Sequence, residues 1–330
     1  MVRGAAGDRR PWRPRAPDRG GRLTLDGEAL AALVALGVDD ALIAKRERLD
    51  GARALRFLAE LPALVASWQA RLDLEDARIM PGGVLSAALA CRRRHDRSAV
   101  VLKLSVAGGA GARAEAAALD AWGGVGACAL LQAAQDGSAM LLEAIEPGDP
   151  VAPGDDDGDD ARRAGELLAT LQRLPSERIP AAIPPAAHEL QWRFARAHQQ
   201  LDGASPGKEL VSHRQLDEAH QAALALDCGC DRRVMCHGDF TNKNILLGAG
   251  GAWRAIDPRP CVGDPCLDAG FWCLTHRPGD HVRERCELVA AVTGLDPERM
   301  WSWALAFAVS EAVLVTDLAR ALAHHRLLGG

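Results

Sequence analysis

The 330-residue chain contains no apolar run long enough to span a bilayer, so a membrane-embedded role is not expected. Ala29 to Val38 is apolar, but Asp26, Glu28, Asp39 and Asp40 bound it too closely for a signal peptide. Arg9-Arg10 imitates a twin-arginine leader without the apolar segment that should follow. Any Cys-x-x-Cys pairing is also missing. Cys228-x-Cys230, Cys236, Cys261 and Cys266 are spaced wrongly for a closed zinc or iron–sulfur site. Nine cysteines, an odd number in a long chain, fit reduced thiols better than a disulfide framework, and a cytoplasmic location is expected. Positive charge is not in excess either: a formal net charge of −5 gives no general case for nucleic acid as a partner. The Arg-, Pro- and Gly-rich residues 1–22 read as a disordered tail or as a start placed too far upstream. No aromatic-interleaved basic patch follows them, and no internal repeat is visible.

What the chain does contain is the composition of a globular protein long enough for two lobes. Hydrophobic residues make up 48% and the mean hydropathy is −0.07. Residues 149–330 hold 26 acidic against 19 basic side chains, a net of −7, which leaves +2 for the rest. An acidic second half suits a cationic small-molecule partner; a generic solvated acidic surface is the equal alternative.

Helical patterns run from Gly27 to about Leu72, through Leu30, Leu33, Val34 and Leu42, then Leu55, Leu58, Leu61, Leu64 and Trp68. A strand-rich region opens at Gly82-Gly83, which serves equally as a plain turn or as part of a phosphate loop. Its clearest strand is Ser98 to Leu104; Ala112 to Trp122 then reads as a helix and Ala139 to Leu142 as another short strand. The expected divisions are a tail over 1–22, a smaller lobe with leading helices and a sheet over 23–142, a hinge over 143–150 and a helical lobe over 151–330. The run Asp155-Asp156-Asp157-Gly158-Asp159-Asp160 reads as a solvated loop, with capture of cations at a cleft mouth as its functional alternative. Leu288 to Val292 and Trp301 to Leu322 complete the helical lobe.

Chemistry concentrates in His237-Gly238-Asp239-Phe240-Thr241-Asn242-Lys243-Asn244 and in Ala255-Ile256-Asp257-Pro258. Phosphoryl transfer from a nucleotide needs one carboxylate near the attacking hydroxyl, plus an amide and a second carboxylate for the magnesium ions that bridge the phosphates. Val234-Met235-Cys236 brings the chain into the core before the loop. Ile245-Leu246-Leu247 and Trp253-Arg254-Ala255-Ile256 flank Gly248-Ala249-Gly250-Gly251 as two strands around a glycine turn. Such a hairpin returns the chain to its start and sets Asp257 beside Asn244. This sparse oxygen set fits magnesium, which takes one or two carboxylates and keeps its remaining positions for phosphate and water. Each piece alone could be a turn former, but the bland reading needs three coincidences in the right order.

On the nucleotide side, Lys103 sits inside an apolar strand, where an ammonium is costly unless paired. Glu115 follows twelve positions later, early in the next helix. A strand lysine held by a helix glutamate contacts nucleotide phosphates in bilobal kinases; a solvated edge-strand lysine is the alternative. Glu143 to Gly148 reads as the connector between lobes, with the backbone at Glu143, Ala144 and Ile145 expected to hold an adenine ring.

These residues together resemble a known family. The succession Val101-Leu102-Lys103-Leu104, Glu115 to Trp122, Leu141-Leu142-Glu143 through Pro147-Gly148, His237-Gly238-Asp239 to Asn244, and Ile256-Asp257-Pro258 is similar to the aminoglycoside/hydroxyurea antibiotic resistance kinases. Val262-Gly263-Asp264-Pro265-x-x-Asp268 is similar to that group and to the wider aminoglycoside phosphotransferase superfamily. The resemblance covers roughly residues 60–320. It implies an α+β, bilobal, protein-kinase-like fold with a small sheet-containing N-lobe and a larger helical C-lobe. It also implies ATP and Mg2+ as cofactors and a small polar acceptor, an aminocyclitol such as streptomycin first among them. Carried over residue by residue, Asp239 is the catalytic base, Asn244 and Asp257 are magnesium ligands, Lys103 orients the phosphates and Glu115 positions Lys103. His237 and Asp268 brace the catalytic loop. Thr241 stands where His is usual, Asn242-Lys243 where Pro-Gly or His-Gly is frequent, and Arg259 where Lys is frequent. These departures cluster where the acceptor enters. Glu311 and Asp317 are candidate acceptor contacts from the helical lobe. A metabolic kinase for a sugar or amino alcohol, and a catalytically silent nucleotide-binding module, are the competing expectations.

Overall fold

The computed structural model describes residues 25–80, 86–105, 109–154, 156–203, 207–279, 281–315 and 317–328. The tail over 1–22, Gly82-Gly83 and Asp155 lie outside the described residues. The chain divides into two compact units, residues 1–63 and 64–330.

In the first unit, α1 (Gly27–Ala35) starts at Asp26, whose carboxylate accepts the Ala29 N–H at 2.8 Å and caps the helix. Helix α2 (Asp40–Leu72) follows, interrupted at Gly51, which stands at φ 55° and ψ −137°, a conformation that glycine adopts without a Cβ penalty. Leu33, Val38, Leu55, Leu58 and Leu61 are buried, and the Arg46 guanidinium lies 5.8 Å over the Phe57 ring.

The second unit begins within the last turns of α2 and contains an antiparallel sheet of β1 (Leu74–Ile79), β2 (Ser86–Arg93), β3 (Ala99–Ser105), β4 (Leu130–Ala133) and β5 (Ala139–Glu143), in the order β1-β2-β3-β5-β4. Alternation along β3 sends Leu102 and Leu104 to one face and Lys103 to the other. Helix α3 (Ala110–Trp122) follows β3; its buried stripe of Ala114, Glu115, Ala118, Leu119 and Trp122 recurs at helical spacing. The rest is mostly helical: α4 (Asp157–Leu171), α5 (Ala186–Asp202), α6 (His213–Cys228), α7 (Cys266–His276), α8 (Val282–Thr293), α9 (Pro297–Leu314) and α10 (Leu318–Arg326). Two small antiparallel pairs interrupt it: β6 (Val234–Cys236) with β9 (Cys261–Gly263), and β7 (Ile245–Leu247) with β8 (Trp253–Ala255). Phe194, Phe240, Trp272, Trp303 and Phe307 fill the helical core. This is the α+β bilobal architecture of the protein-kinase-like fold.

One expectation is corrected. From Asp156 on, the aspartate run is not a loop: Asp156 caps α4 by accepting the Gly158 N–H at 2.8 Å, and Asp157, Asp159 and Asp160 occupy its first turn, where the helix dipole favours negative charge. Asp160 is buried. The stretch from Trp301 to Leu322 is shared between α9 and α10; Asp317 starts α10 by accepting the Arg320 N–H at 2.9 Å. All nine cysteines are free thiols, seven of them buried. Among the described residues, no helix is long and apolar enough to cross a membrane.

Candidate active site

Strand β6 delivers the chain to His237. At the next position Gly238 adopts φ +78°, and a Cβ there would fall 2.0 Å from the Arg259 carbonyl oxygen, so only glycine fits. Asp268, buried on α7, accepts the His237 N–H at 2.6 Å and the Gly238 N–H at 2.8 Å. Burial pushes the Asp268 carboxyl upward, and His237 with these two N–H groups pulls it back. His237 faces the Ile256 carbonyl through Nε2 at 3.0 Å and receives the Asp239 N–H on Nδ1 at 3.3 Å. Those partners select the neutral imidazole protonated on Nε2, and burial lowers its pKa in the same sense. Both side chains thus act on the backbone of the loop. The Trp122 ring at the end of α3 stacks 6.2 Å from the His237 ring, linking the helix that carries Glu115 to the loop.

Beyond the loop, the β7–β8 pair runs in register from Ile245↔Ala255 to Leu247↔Trp253, and the Ile256 N–H donates to the Asn244 carbonyl at 2.9 Å. The hairpin therefore returns the chain beside Asn244, as the glycine turn implied. The Asn244 amide nitrogen donates to the Asp239 carbonyl at 2.9 Å and to Asp239 Oδ2 at 2.8 Å. These bonds use only the amide nitrogen and leave the Asn244 side-chain oxygen Oδ1 facing away from them. Lys243 Nζ lies 3.2 Å from the same Asp239 Oδ2.

Lys103 is buried on β3 and spans the two lobes. Its ammonium lies 2.5 Å from Glu115 Oε1 and also bonds Asp257 Oδ1. Burial opposes charge on Lys103, but Glu115 and Asp257 outweigh it and raise its pKa, so it is a cation. Asp257 is held below the ordinary carboxylate range by Lys103, against the effect of burial. Burial lifts the Glu115 carboxyl to about 7 while Lys103 pulls it down, making Glu115 the more easily protonated of the two counter-ions.

At the hinge, Glu143 donates its N–H to the Ala129 carbonyl and accepts the Ala129 N–H on its carboxylate, both at 2.9 Å. Arg254 of β8 bonds the same carboxylate at 2.8 Å. Glu143 is therefore committed within the protein, and Ala144 and Ile145 are half-buried beside it.

Two of the positions that depart from the family pattern, Asn242 and Arg259, are anchored. Asn242 Oδ1 lies 2.9 Å from His276 Nδ1, and His276 Nε2 lies 3.1 Å from Asp160. Arg259 bonds Glu189 of α5 at 2.9 Å and lies 3.3 Å over the Trp192 ring. Thr241 is buried and its hydroxyl has no hydrogen-bond partner among the described residues. Of the two candidate acceptor contacts, Glu311 is paired with Arg193 at 2.7 Å; burial raises its carboxyl, and the charge of Asp239 adds to that rise. Asp317 caps α10. Glu189, Trp192 and Arg193 carry no motif signature, and only their helical spacing on α5 could have placed them on one face. Several acids of residues 149–330 are paired within the fold: Asp157 with Arg285, Asp227 with Arg233, and Asp264 with Arg299.

Residues 74–318 match the family described as aminoglycoside/hydroxyurea antibiotic resistance kinase. The chain is 31% identical over 283 residues to a streptomycin 6-kinase of Streptomyces griseus, covering 82% of this chain and 87% of that relative. It is 30% identical over 265 residues to a hydroxyurea phosphotransferase of Kitasatospora aureofaciens, covering 80% and 76%. Among solved structures, a spectinomycin phosphotransferase in complex with ADP and spectinomycin superimposes with a TM-score of 0.53 at 13% identity, covering 81% of this chain and 93% of that one.

Proposed function

The chain belongs to the aminoglycoside/hydroxyurea antibiotic resistance kinase family and is a small-molecule phosphotransferase, and from that premise we propose that it transfers the γ-phosphoryl group of ATP to a hydroxyl of an aminocyclitol of the streptomycin kind. The observation that carries this reading is the double pairing of Lys103. One buried ammonium joins β3, α3 and the acid that follows β8, while Asp239 and Asn244 face each other across the adjoining loop. Phosphoryl transfer requires this separation of a phosphate-orienting cation from a hydroxyl-facing base.

In this reading the Asp239 carboxylate orients the acceptor hydroxyl and takes its proton. The backbone near Ala144 and Ile145 holds the adenine ring, since Glu143 is engaged with Ala129 and Arg254. Asn244 and Asp257 would hold magnesium. The fit rests on their chemistry: an amide oxygen left over when the nitrogen binds Asp239, and a carboxylate kept ionised by Lys103. Bound there, the metal supplies charge neutralisation on the phosphates. Lys103 would orient the nucleotide phosphates, with Glu115 holding its ammonium in place.

The test is to incubate the purified protein with ATP and Mg2+ and, separately, streptomycin, spectinomycin, hydroxyurea and a set of sugars and amino alcohols. ADP release is followed, and the modified product is mapped by mass spectrometry. Phosphorylation of streptomycin supports the aminocyclitol reading. Turnover confined to a sugar or amino alcohol moves the protein to metabolism, and nucleotide binding without turnover on any acceptor contradicts the proposal.

A further inference from the structure

We propose that Asp157, Asp160 and His276 form a site for a divalent cation of the kind that takes imidazole, such as Zn2+, apart from the magnesium ligands proposed for the nucleotide. Asp157 and Asp160 stand three residues apart in the first turn of α4, on one face, and His276 is the last residue of α7. One ligand atom from each lies within 4.8 Å of the other two. The His276 side chain is fully buried, and those of Asp160 and Asp157 are 10% and 22% exposed.

Acids in a first turn are ordinary by themselves, because the helix dipole favours them. The imidazole is what points to a ligand. Asn242, from the catalytic loop, holds it on its far side. The Asn242 amide nitrogen donates to the His276 carbonyl at 3.4 Å, so Oδ1 is the atom that meets His276 Nδ1 at 2.9 Å. Facing a carbonyl oxygen, Nδ1 carries the proton, and the neutral ring keeps a lone pair on Nε2. That lone pair is aimed at Asp160 Oδ2, a second acceptor, at 3.1 Å. Burial lowers the His276 pKa despite the pull of Asp160 and so favours the neutral ring. Asp157 adds a third acceptor: its Oδ1 is buried with no hydrogen-bond partner among the described residues. Arg277 Nη2 passes 3.3 Å from that oxygen but donates to the Gly154 carbonyl.

Three converging acceptors ask for a cation. Zn–N and Zn–O bonds of about 2.0–2.2 Å set neighbouring ligand atoms about 3–3.5 Å apart. His276 Nε2 and Asp160 Oδ2 already stand at that spacing, and a turn of the Asp157 side chain completes the set. Each ligand is also steadied from behind, as metal ligands generally are. Asn242 holds His276, the Gly154 N–H donates to Asp160 Oδ2 at 2.7 Å, and Arg285 donates to Asp157 Oδ2 at 3.1 Å. One imidazole beside two carboxylates suits a first-row ion better than Mg2+, which prefers oxygen alone. An ion held there joins α4 and α7 to Asn242, and so braces the loop of Asp239 from outside the reaction.

The same residues without a metal would hold an imidazolium that donates to Asp160, and binding separates the two states. The full-length protein, stripped with a chelator, is titrated with Zn2+ in excess Mg2+ against a chromogenic chelator, and bound metal is counted by elemental mass spectrometry. One Zn2+ per chain is expected, with affinity at least about tenfold weaker in Asp157→Asn and in His276→Gln. The double variant Cys228→Ser and Cys230→Ser, which removes the thiols outside the core, should bind within about twofold of wild type. Co2+ in place of Zn2+ should give visible d–d absorption without a thiolate charge-transfer band. Saturating Zn2+ should raise the melting temperature of the wild type by about 3–5 °C and leave that of Asp157→Asn unchanged. Asp157→Asn keeps an oxygen for Arg285, so it carries the test if His276→Gln does not fold. A wild type that takes up no Zn2+, or an Asp157→Asn protein that binds it as tightly, overturns the inference. So does binding that disappears with Cys228 and Cys230, which reports an adventitious thiol site only. None of these outcomes bears on the phosphotransferase reading, which is assayed with ATP and Mg2+.

Discussion

At the scale of single residues, the catalytic loop is defined by what cannot be changed. Gly238 combines a left-handed backbone with a carbonyl where a Cβ would stand, so Gly238→Ala is expected to destabilise the protein by about 2–5 kcal/mol and to abolish turnover. Urea denaturation of the variant checks it; unchanged stability would mean that the Arg259 carbonyl gives way easily. The His-Gly-Asp string was legible in the sequence, but this reason for its glycine was not, because Arg259 is 21 residues away and meets Gly238 only once β6 and β9 pair. The spacing from Lys103 to Glu115 was readable for the opposite reason: a strand and the helix that follows it are local, and an apolar strand with one lysine asks for a partner. Asp257 as the second partner of Lys103 was not readable, since 154 residues separate them. Glu189, Trp192 and Arg193 went unseen because nothing in their own helix marks them apart from ordinary polar and aromatic positions.

At the scale of elements, periodicity located the helices and the β7–β8 hairpin, and failed where charge was taken as a sign of solvent. Asp156 to Asp160 form the cap and first turn of α4 and send Asp160 inward to His276, a pairing that only the return of α7 creates. Strand β9 is three residues long and exists because β6 runs beside it, so it left no pattern to find. Helix α10 carries its own pH sensitivity. His324 is buried, with Nδ1 unpartnered, and burial, aided by Arg320, lowers its pKa from 6.5 to about 4. The fold therefore keeps His324 neutral while the unfolded chain takes up a proton. Its contribution is complete above pH 6.5 and is lost as pH falls toward 4. At pH 5 the loss should be about 2 kcal/mol. Denaturation curves at neutral pH and at pH 5 should show a shallower decline for His324→Gln than for the wild type; parallel declines would place the acid sensitivity elsewhere.

At the scale of the whole molecule, the sheet and helical parts of the second unit share one apolar core and are tied by polar contacts as well. Lys103 reaches Asp257, Arg254 reaches Glu143, and the Cys128 N–H donates to the Ala255 carbonyl at 2.9 Å. Two of these three end on the β7–β8 hairpin and the third on Asp257 just beyond it, so nucleotide bound at Lys103 should act on the base through a stiff connection. Asn244→Ala and Asp257→Ala should each raise the Mg2+ concentration needed for half-maximal turnover by about tenfold or more, as loss of one ligand from a sparse oxygen set demands. An unchanged Mg2+ requirement in both would refute the metal assignment. Internal pairing of Glu189, Glu311 and the α4 acids also shows why the charge of half a chain is a poor guide to the charge of an acceptor: those carboxylates are answered within the fold. The central claim is that Asp239 serves the acceptor hydroxyl while other residues hold the nucleotide. The most direct test is ATP-dependent phosphorylation by Asp239→Asn beside the wild type, with ATP affinity measured on both. The account predicts ATP affinity within about threefold of wild type and turnover lowered by at least about a thousandfold; an Asp239→Asn protein that still phosphorylates its acceptor at a near-normal rate would contradict it.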